Sequence, residues 1–290
     1  MDKLRGTGVA LVTPFTPTPE RAVDYAALRR LVDFTIEGGV EYLVINGTTA
    51  ESATLTTEEK AEVLRVVREQ VAGRVPLVYG IGGNDTAATV RTIQNTDLTG
   101  IVALLSASPY YNKPSQRGIV AHYQQLADAS PVPVLLYNVP GRTSSNLTAA
   151  TTLTLAQHPN IIGIKEASGN LEQCIAIAAA KPADFLLISG DDMMTTSLIS
   201  FGAVGIISVL ANAFPRRFSD MTRHALQGDF KAASELLFGF VELNPLMYEE
   251  SNPVGVKAAL AAQGLCADAV RLPLVEASEN LKSRIADCAD

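Results

Sequence analysis

Short runs of β-branched and other apolar residues recur along the chain. Each gives way to Gly, Ser, Thr or Asn before an amphipathic helical pattern begins. Eight runs stand out: GVALVTP (8–14), EYLVING (41–47), PLVYGIGG (76–83), GIVALLSAS (100–108), PVLLYNVPG (133–141), IIGIKEAS (161–168), FLLISGDD (185–192) and AVGIISVLAN (203–212). Between them lie helical patterns such as DYAALRRLVDFTIEGG (24–39) and TTEEKAEVLRVVREQV (56–71). The latter opens Thr56-Thr57-Glu58-Glu59, a capping sequence. Near-continuous apolar strands predict a parallel sheet covered on both faces. Eight β/α units predict an α/β fold of the (β/α)8 TIM-barrel type. The alternative is a doubly wound open sheet with a phosphate-cradling turn early in the chain. GIGGND (80–85) fits that poorly, because Asp85 stands where the third glycine of such a turn belongs. No Pro- or Ser-rich linker divides the chain, and residues 213–290 continue as helical patterns interrupted near Pro245, Pro253 and Pro273. Residues 1–226 are therefore read as the barrel, and 227–290 as a C-terminal helical extension packed on it.

Composition narrows the choice of partners. The chain has 290 residues, 47% of them hydrophobic, enough for a large core. A net charge of −7 argues against a nucleic-acid partner, which would need a basic stripe. Any anionic ligand must then be met by local cations. Cys174, Cys266 and Cys288 are odd in number and far apart, the pattern of reduced thiols in a cytoplasmic protein. The start, MDKLRGTGVALVTPF, has too short an apolar stretch for a signal peptide. No apolar run approaches the ~18 residues that span a bilayer. The expectation is a soluble cytoplasmic protein with no membrane contact.

Chemistry in a barrel gathers where the strands end. The predicted strand ends pool Lys165, Tyr137, Tyr110, Tyr111, Thr48, Thr49 and Arg142 at one rim. Each also has a plain structural reading. Lys165 ends an otherwise apolar run and can simply reach into water. Tyr137 can be a core tyrosine, GTT a turn, SPYYNKP a packed loop or a subunit contact, and Arg142 half of a surface ion pair. Asp191-Asp192 read as the opening of the next helix by capping, with metal binding as the minority alternative. A buried amine, by contrast, can attack a ketone and form a Schiff base. A neighbouring tyrosine, relayed through threonine to a second tyrosine, can carry the protons. A metal-dependent route would want clustered ligands, but His122, His158 and His224 fall in helix-like regions without ligand spacing.

GTTAES (47–52), SPYYNKPS (108–115), YNVPGRT (137–143), GIKEAS (163–168) and SGDD (189–192) together resemble the dihydrodipicolinate synthase/N-acetylneuraminate lyase family. The resemblance runs in order from the first strand through the eighth. It implies a barrel that condenses pyruvate with L-aspartate-4-semialdehyde through a covalent Schiff base, without a cofactor, on the way to diaminopimelate and lysine. On that basis Lys165 is the Schiff-base lysine and Tyr137 the proton-transferring tyrosine. Thr48 and Tyr111 complete the relay, with Tyr111 reaching in from a neighbouring subunit. Thr49 binds the pyruvate carboxylate, Gly190 and Ile207 shape the pocket, and Arg142 meets the semialdehyde carboxylate. The resemblance also implies a homo-oligomer, a tetramer built as a dimer of dimers. The alternatives are a related pyruvate lyase acting on sugar acids, or a barrel that binds without catalysis. The GTT doublet with Arg142 resembles the synthases rather than the sugar-acid lyases. Ala50 departs from the family, which commonly has Gly there; a left-handed backbone at that position would strain it. Lys60 and Lys113, in exposed polar stretches, are expected to stay outside the chemistry. In lysine-inhibited members the effector site resembles a set including an acidic residue and two histidines. Ala88, Thr57 and Lys60 stand at the matching positions here, beside Asn84 and Tyr110 that do match, so little inhibition by lysine is expected.

Overall fold

The computed structural model describes residues 2–289. Eight strands close into a parallel barrel in chain order. They are β1 Gly6–Ala10, β2 Tyr42–Ile45, β3 Leu77–Gly80, β4 Ile101–Ala107, β5 Val134–Asn138, β6 Ile161–Glu166, β7 Leu186–Ser189 and β8 Gly205–Ser208. β1 pairs with both β2 and β8, so no edge is left. All eight predicted strands are present, and the open-sheet alternative is excluded. They are shorter at their C-terminal ends than the apolar runs, because the closing Gly, Pro, Ser and Asp residues turn into the rim loops. β1 also begins two residues early, at Gly6, beside Gly205 of β8. A side chain on Gly205 would collide with the Gly6 carbonyl, so barrel closure there depends on glycine, which an apolar pattern overlooks.

Strand alternation divides the core into two layers. One inner layer fills the barrel, including Tyr42, Val44, Val78, Leu105, Leu135, Tyr137, Ile188 and Ile207. The opposite strand faces pack under the helices with Leu28, Leu31, Val67, Leu136, Ile164 and Phe218. Helix Thr57–Val71 starts with the predicted cap: Thr56 Oγ1 accepts from the Glu59 amide and the Glu59 carboxylate accepts from the Thr56 amide. Such a box stabilises a helix by about 1 kcal/mol. The eighth barrel helix is Pro215–Leu226, followed by Phe230–Phe238, Leu243–Leu246, Val254–Ala262 and Glu279–Ala289. Val254–Ala262 is buried through Leu260 and apolar except for Lys257, which is buried with the rest. Among the described residues no helix is long and apolar enough to cross a membrane.

Candidate active site

β5 and β6 end side by side, and alternation sorts their last residues into two register pairs. Tyr137 and Lys165 form the first pair, Asn138 and Glu166 the second. The first pair faces the barrel interior. Lys165 is only 5% exposed, and its Nζ lies 4.5 Å from the centre of the Tyr137 ring. Gly190, just past β7, makes room: a Cβ there would stand 2.6 Å from the Ala167 Cβ and 3.1 Å from the Lys165 Cε. Ile207 on β8 is buried in the same inner layer as Tyr137. The second pair points outward. Asn138 Nδ2 donates to both Glu166 oxygens at 3.2 and 3.0 Å, Gln173 Nε2 donates to Oε2 at 3.0 Å and the Ser168 amide to Oε1 at 2.7 Å. These donors satisfy the buried Glu166 carboxylate and fix the strand end that carries Lys165.

The GTT turn follows β2 as a short 3-10 helix, Thr48–Ala50. Glu51 closes it in the left-handed region, φ 54, with its amide donating to the Thr48 carbonyl at 3.0 Å. Ala50 has no positive φ, so the strain expected from its missing glycine falls one residue later. A non-glycine residue there costs ~1–2 kcal/mol, and Glu51 is held by strong contacts. Its Oε1 pairs with Lys257 Nζ at 2.5 Å, both side chains being almost fully buried. Lys257 also donates to the Ala269 carbonyl at 2.8 Å and lies 4.1 Å from the centre of the Phe15 ring. The Arg271 amide donates to Glu51 Oε2 at 3.0 Å, and its guanidinium grips Glu59 and the Thr54 carbonyl. Asn252 Nδ2 donates to Thr49 Oγ1 at 3.1 Å.

Thr48, Tyr137 and Arg142 line one cavity of about 1150 Å³, together with Tyr110, Asn252 and Lys60. Arg142, on the short helix Pro140–Thr143, is exposed at that cavity. Lys60 departs from the exposed position expected of it: it is half-buried in the wall, and burial lowers its pKa. Lys113 is exposed as expected. Tyr111 does not join the cavity of its own chain; it is 87% exposed, with φ 73. Among the described residues no hydrogen bond links Thr48 to Tyr137.

The two aspartates part company. Asp191 Oδ1 accepts from the amides of Met193 and Met194, as a cap would. Asp192 instead ties β7 to the end of β8, accepting from Val209 and Leu210 amides at 3.3 and 3.1 Å. Burial pushes its carboxyl up to about 6, against the lowering effect of those bonds. The histidines lie on separate segments. His122 bonds Thr86, while His158 and His224 face Asp128 and Asp229.

Sequence reading missed Asn252, Lys257 and the burial of Glu51. One signal was available: a lone charge in VGVKAALAA, an otherwise apolar helix, must find a buried partner.

Known proteins resemble the chain over nearly its whole length. Over 285 residues the chain is 53% identical to the 4-hydroxy-tetrahydrodipicolinate synthase of Cytophaga hutchinsonii, covering 98% of this chain and 95% of the relative. The enzyme of the same name from Phocaeicola vulgatus is 54% identical over 274 residues, covering 94% and 92%. The crystal structure of dihydrodipicolinate synthase from Thermotoga maritima superposes with a TM-score of 0.95 at 33% identity, covering 99% of this chain and 97% of that one. The sequence model of the dihydrodipicolinate synthetase family matches residues 3–290, and the chain belongs to that family.

Proposed function

We propose that this site condenses pyruvate with L-aspartate-4-semialdehyde to 4-hydroxy-tetrahydrodipicolinate, the entry step toward diaminopimelate and lysine. The observation that carries the reading is a lysine amine buried in the barrel mouth and stacked over a tyrosine ring. Lys165 attacks the ketone carbon, water leaves, and the protonated imine draws electrons from the methyl group. Loss of a methyl proton gives an enamine, whose carbon adds to the aldehyde of the second substrate. The semialdehyde's amine then displaces Lys165 from the imine, closing the ring and freeing the enzyme. The carbon chemistry is carried by the lysine itself, with no cofactor.

Tyr137 stands beside the nucleophile and carries protons to and from the departing oxygen. Thr48 shares its cavity and, with a neighbour's Tyr111, completes the relay. Thr49 binds the pyruvate carboxylate, and Gly190 and Ile207 bound the pyruvate pocket. Arg142, a planar donor at the cavity, receives the semialdehyde carboxylate. The exposure of Tyr111 supports a homo-oligomer, a tetramer assembled as a dimer of dimers, in which that ring serves the next subunit. Residues 1–226 act as the catalytic barrel and 227–290 as the extension that braces it. Three free cysteines support a cytoplasmic setting.

Purified protein supplied with both substrates, coupled to the reductase that consumes the product, should turn over only when both are present. Absence of turnover, or equal turnover with a sugar acid alone, contradicts the reading.

A further inference from the structure

Asn252 belongs to the extension rather than the barrel, yet it touches the substrate-facing turn. It is 7% exposed and Thr49 is 3% exposed, so bulk water has little access to either. A hydroxyl has one proton to give and two lone pairs to receive with. Asn252 Nδ2 donates to Thr49 Oγ1, which uses a lone pair and turns the hydroxyl proton away from Asn252. Both ends of this contact are braced. Glu51, two residues past Thr49, is fixed by Lys257 and the Arg271 amide. Asn252 sits in a turn closed by the Val254 amide on the Ser251 carbonyl at 3.0 Å. Its Oδ1 is buried without a partner among the described residues, and the residue lines the cavity. A buried carboxamide left half-satisfied beside a ligand cavity points to a role in that cavity.

From this geometry we propose that Asn252 is a positioning residue that sets the polarity of Thr49, holding its hydroxyl as a donor to the pyruvate carboxylate. The inference rests on the reading that Thr49 binds that carboxylate. A carboxylate only accepts hydrogen bonds, so the donor must point toward it. An acceptor in place of the Asn252 amide would capture the Thr49 proton and leave a lone pair facing the substrate.

Asn252→Asp makes that exchange with almost no change of shape. It should raise the KM for pyruvate about a hundredfold, through the lost donor and the added like charge. The KM for the semialdehyde should change little, while the melting temperature falls, because the new carboxylate is buried without a partner. Asn252→Ala, which brings no charge, should raise the pyruvate KM about tenfold, and it keeps the test open if the aspartate variant does not fold. Thr49→Val should itself raise the pyruvate KM, and adding Asn252→Ala to it should change little more, because the two act through one bond. Additive losses in the double variant would overturn the proposal. So would equal effects on both substrates, or Asn252 variants with unaltered pyruvate KM beside an impaired Thr49→Val. An unaltered pyruvate KM in Thr49→Val would instead remove the reading of Thr49 itself, and the proposal with it.

Discussion

Replacing Lys257 by methionine keeps the side chain out to Cε and removes its ammonium. In the structure that ammonium has three neighbours: Glu51 Oε1 at 2.5 Å, the Ala269 carbonyl at 2.8 Å and the Phe15 ring centre at 4.1 Å. Their loss leaves Glu51 as a buried carboxylate with one remaining donor, the Arg271 amide. Removing one partner of a buried ion pair costs roughly 3–5 kcal/mol, mostly from the charge left behind. Since Glu51 keeps one bond, about 3 kcal/mol is expected. Changing Glu51 to glutamine as well removes the stranded charge and should restore roughly 1–2 kcal/mol. Equilibrium unfolding in urea followed by circular dichroism, at one fixed protein concentration, measures both variants. The contrary result is a loss below about 1 kcal/mol for Lys257→Met, or a double variant no more stable than the single. The first would mean that the pair adds little to the hold on the Thr48–Thr49 turn, the second that the loss does not come from a stranded Glu51 charge.

Arg142→Ala should weaken use of the semialdehyde about ten- to a hundredfold, the effect of losing a charge-assisted contact worth ~1.5–3 kcal/mol, while imine formation with pyruvate is spared. Equal loss in separate pyruvate-trapping and full-turnover assays would make Arg142 structural. Burial lowers the pKa of His122 to about 4. The folded form therefore resists a proton that the unfolded chain accepts below about 6.5. Its contribution is whole above that pH and should decline by up to about 3 kcal/mol as the pH falls toward 4. Urea midpoints across that window should fall less steeply in His122→Asn, and parallel profiles would contradict the assignment. Lysine at millimolar concentration should inhibit little, because Ala88 and Lys60 offer its ammonium no carboxylate; strong inhibition in a rate titration would contradict this.

The barrel was legible because its strands are covered on both faces and its rim residues interrupt them at regular distances. The pairing of Tyr137 with Lys165 follows once β5 and β6 are neighbours, since both residues sit on the inward face one step from the end. What lies under the site was not legible. Thr49 meets Asn252 across 203 positions and Glu51 meets Lys257 across 206, and no local period links such residues. The strained position was misplaced for a related reason. Ala50 drew attention by replacing a glycine, whereas the chain turns left-handed at Glu51, whose side chain is anchored in the core. Asp192 precedes a helix and so resembles a cap in sequence, but its partners are amides after β8, which only the closed barrel brings near.

The proposed chemistry depends on Lys165 as the nucleophile. Borohydride added to enzyme with pyruvate should reduce the imine to a stable secondary amine. Peptide mass spectrometry should then find one pyruvate-derived adduct per chain, on the peptide containing GIKEAS. Lys165→Ala should abolish both adduct and turnover, and Lys165→Arg should do no better, because a guanidinium cannot act as the amine. Tyr137→Phe should slow labelling without abolishing it, since it removes a proton carrier and leaves the nucleophile. Lys60 is the sharpest internal control, because it lines the cavity that Tyr137 also lines, with burial lowering its pKa. Lys165 labelled and Lys60 unlabelled is the expected result; pyruvate-dependent label on Lys60, or full activity in Lys165→Ala, would contradict the account.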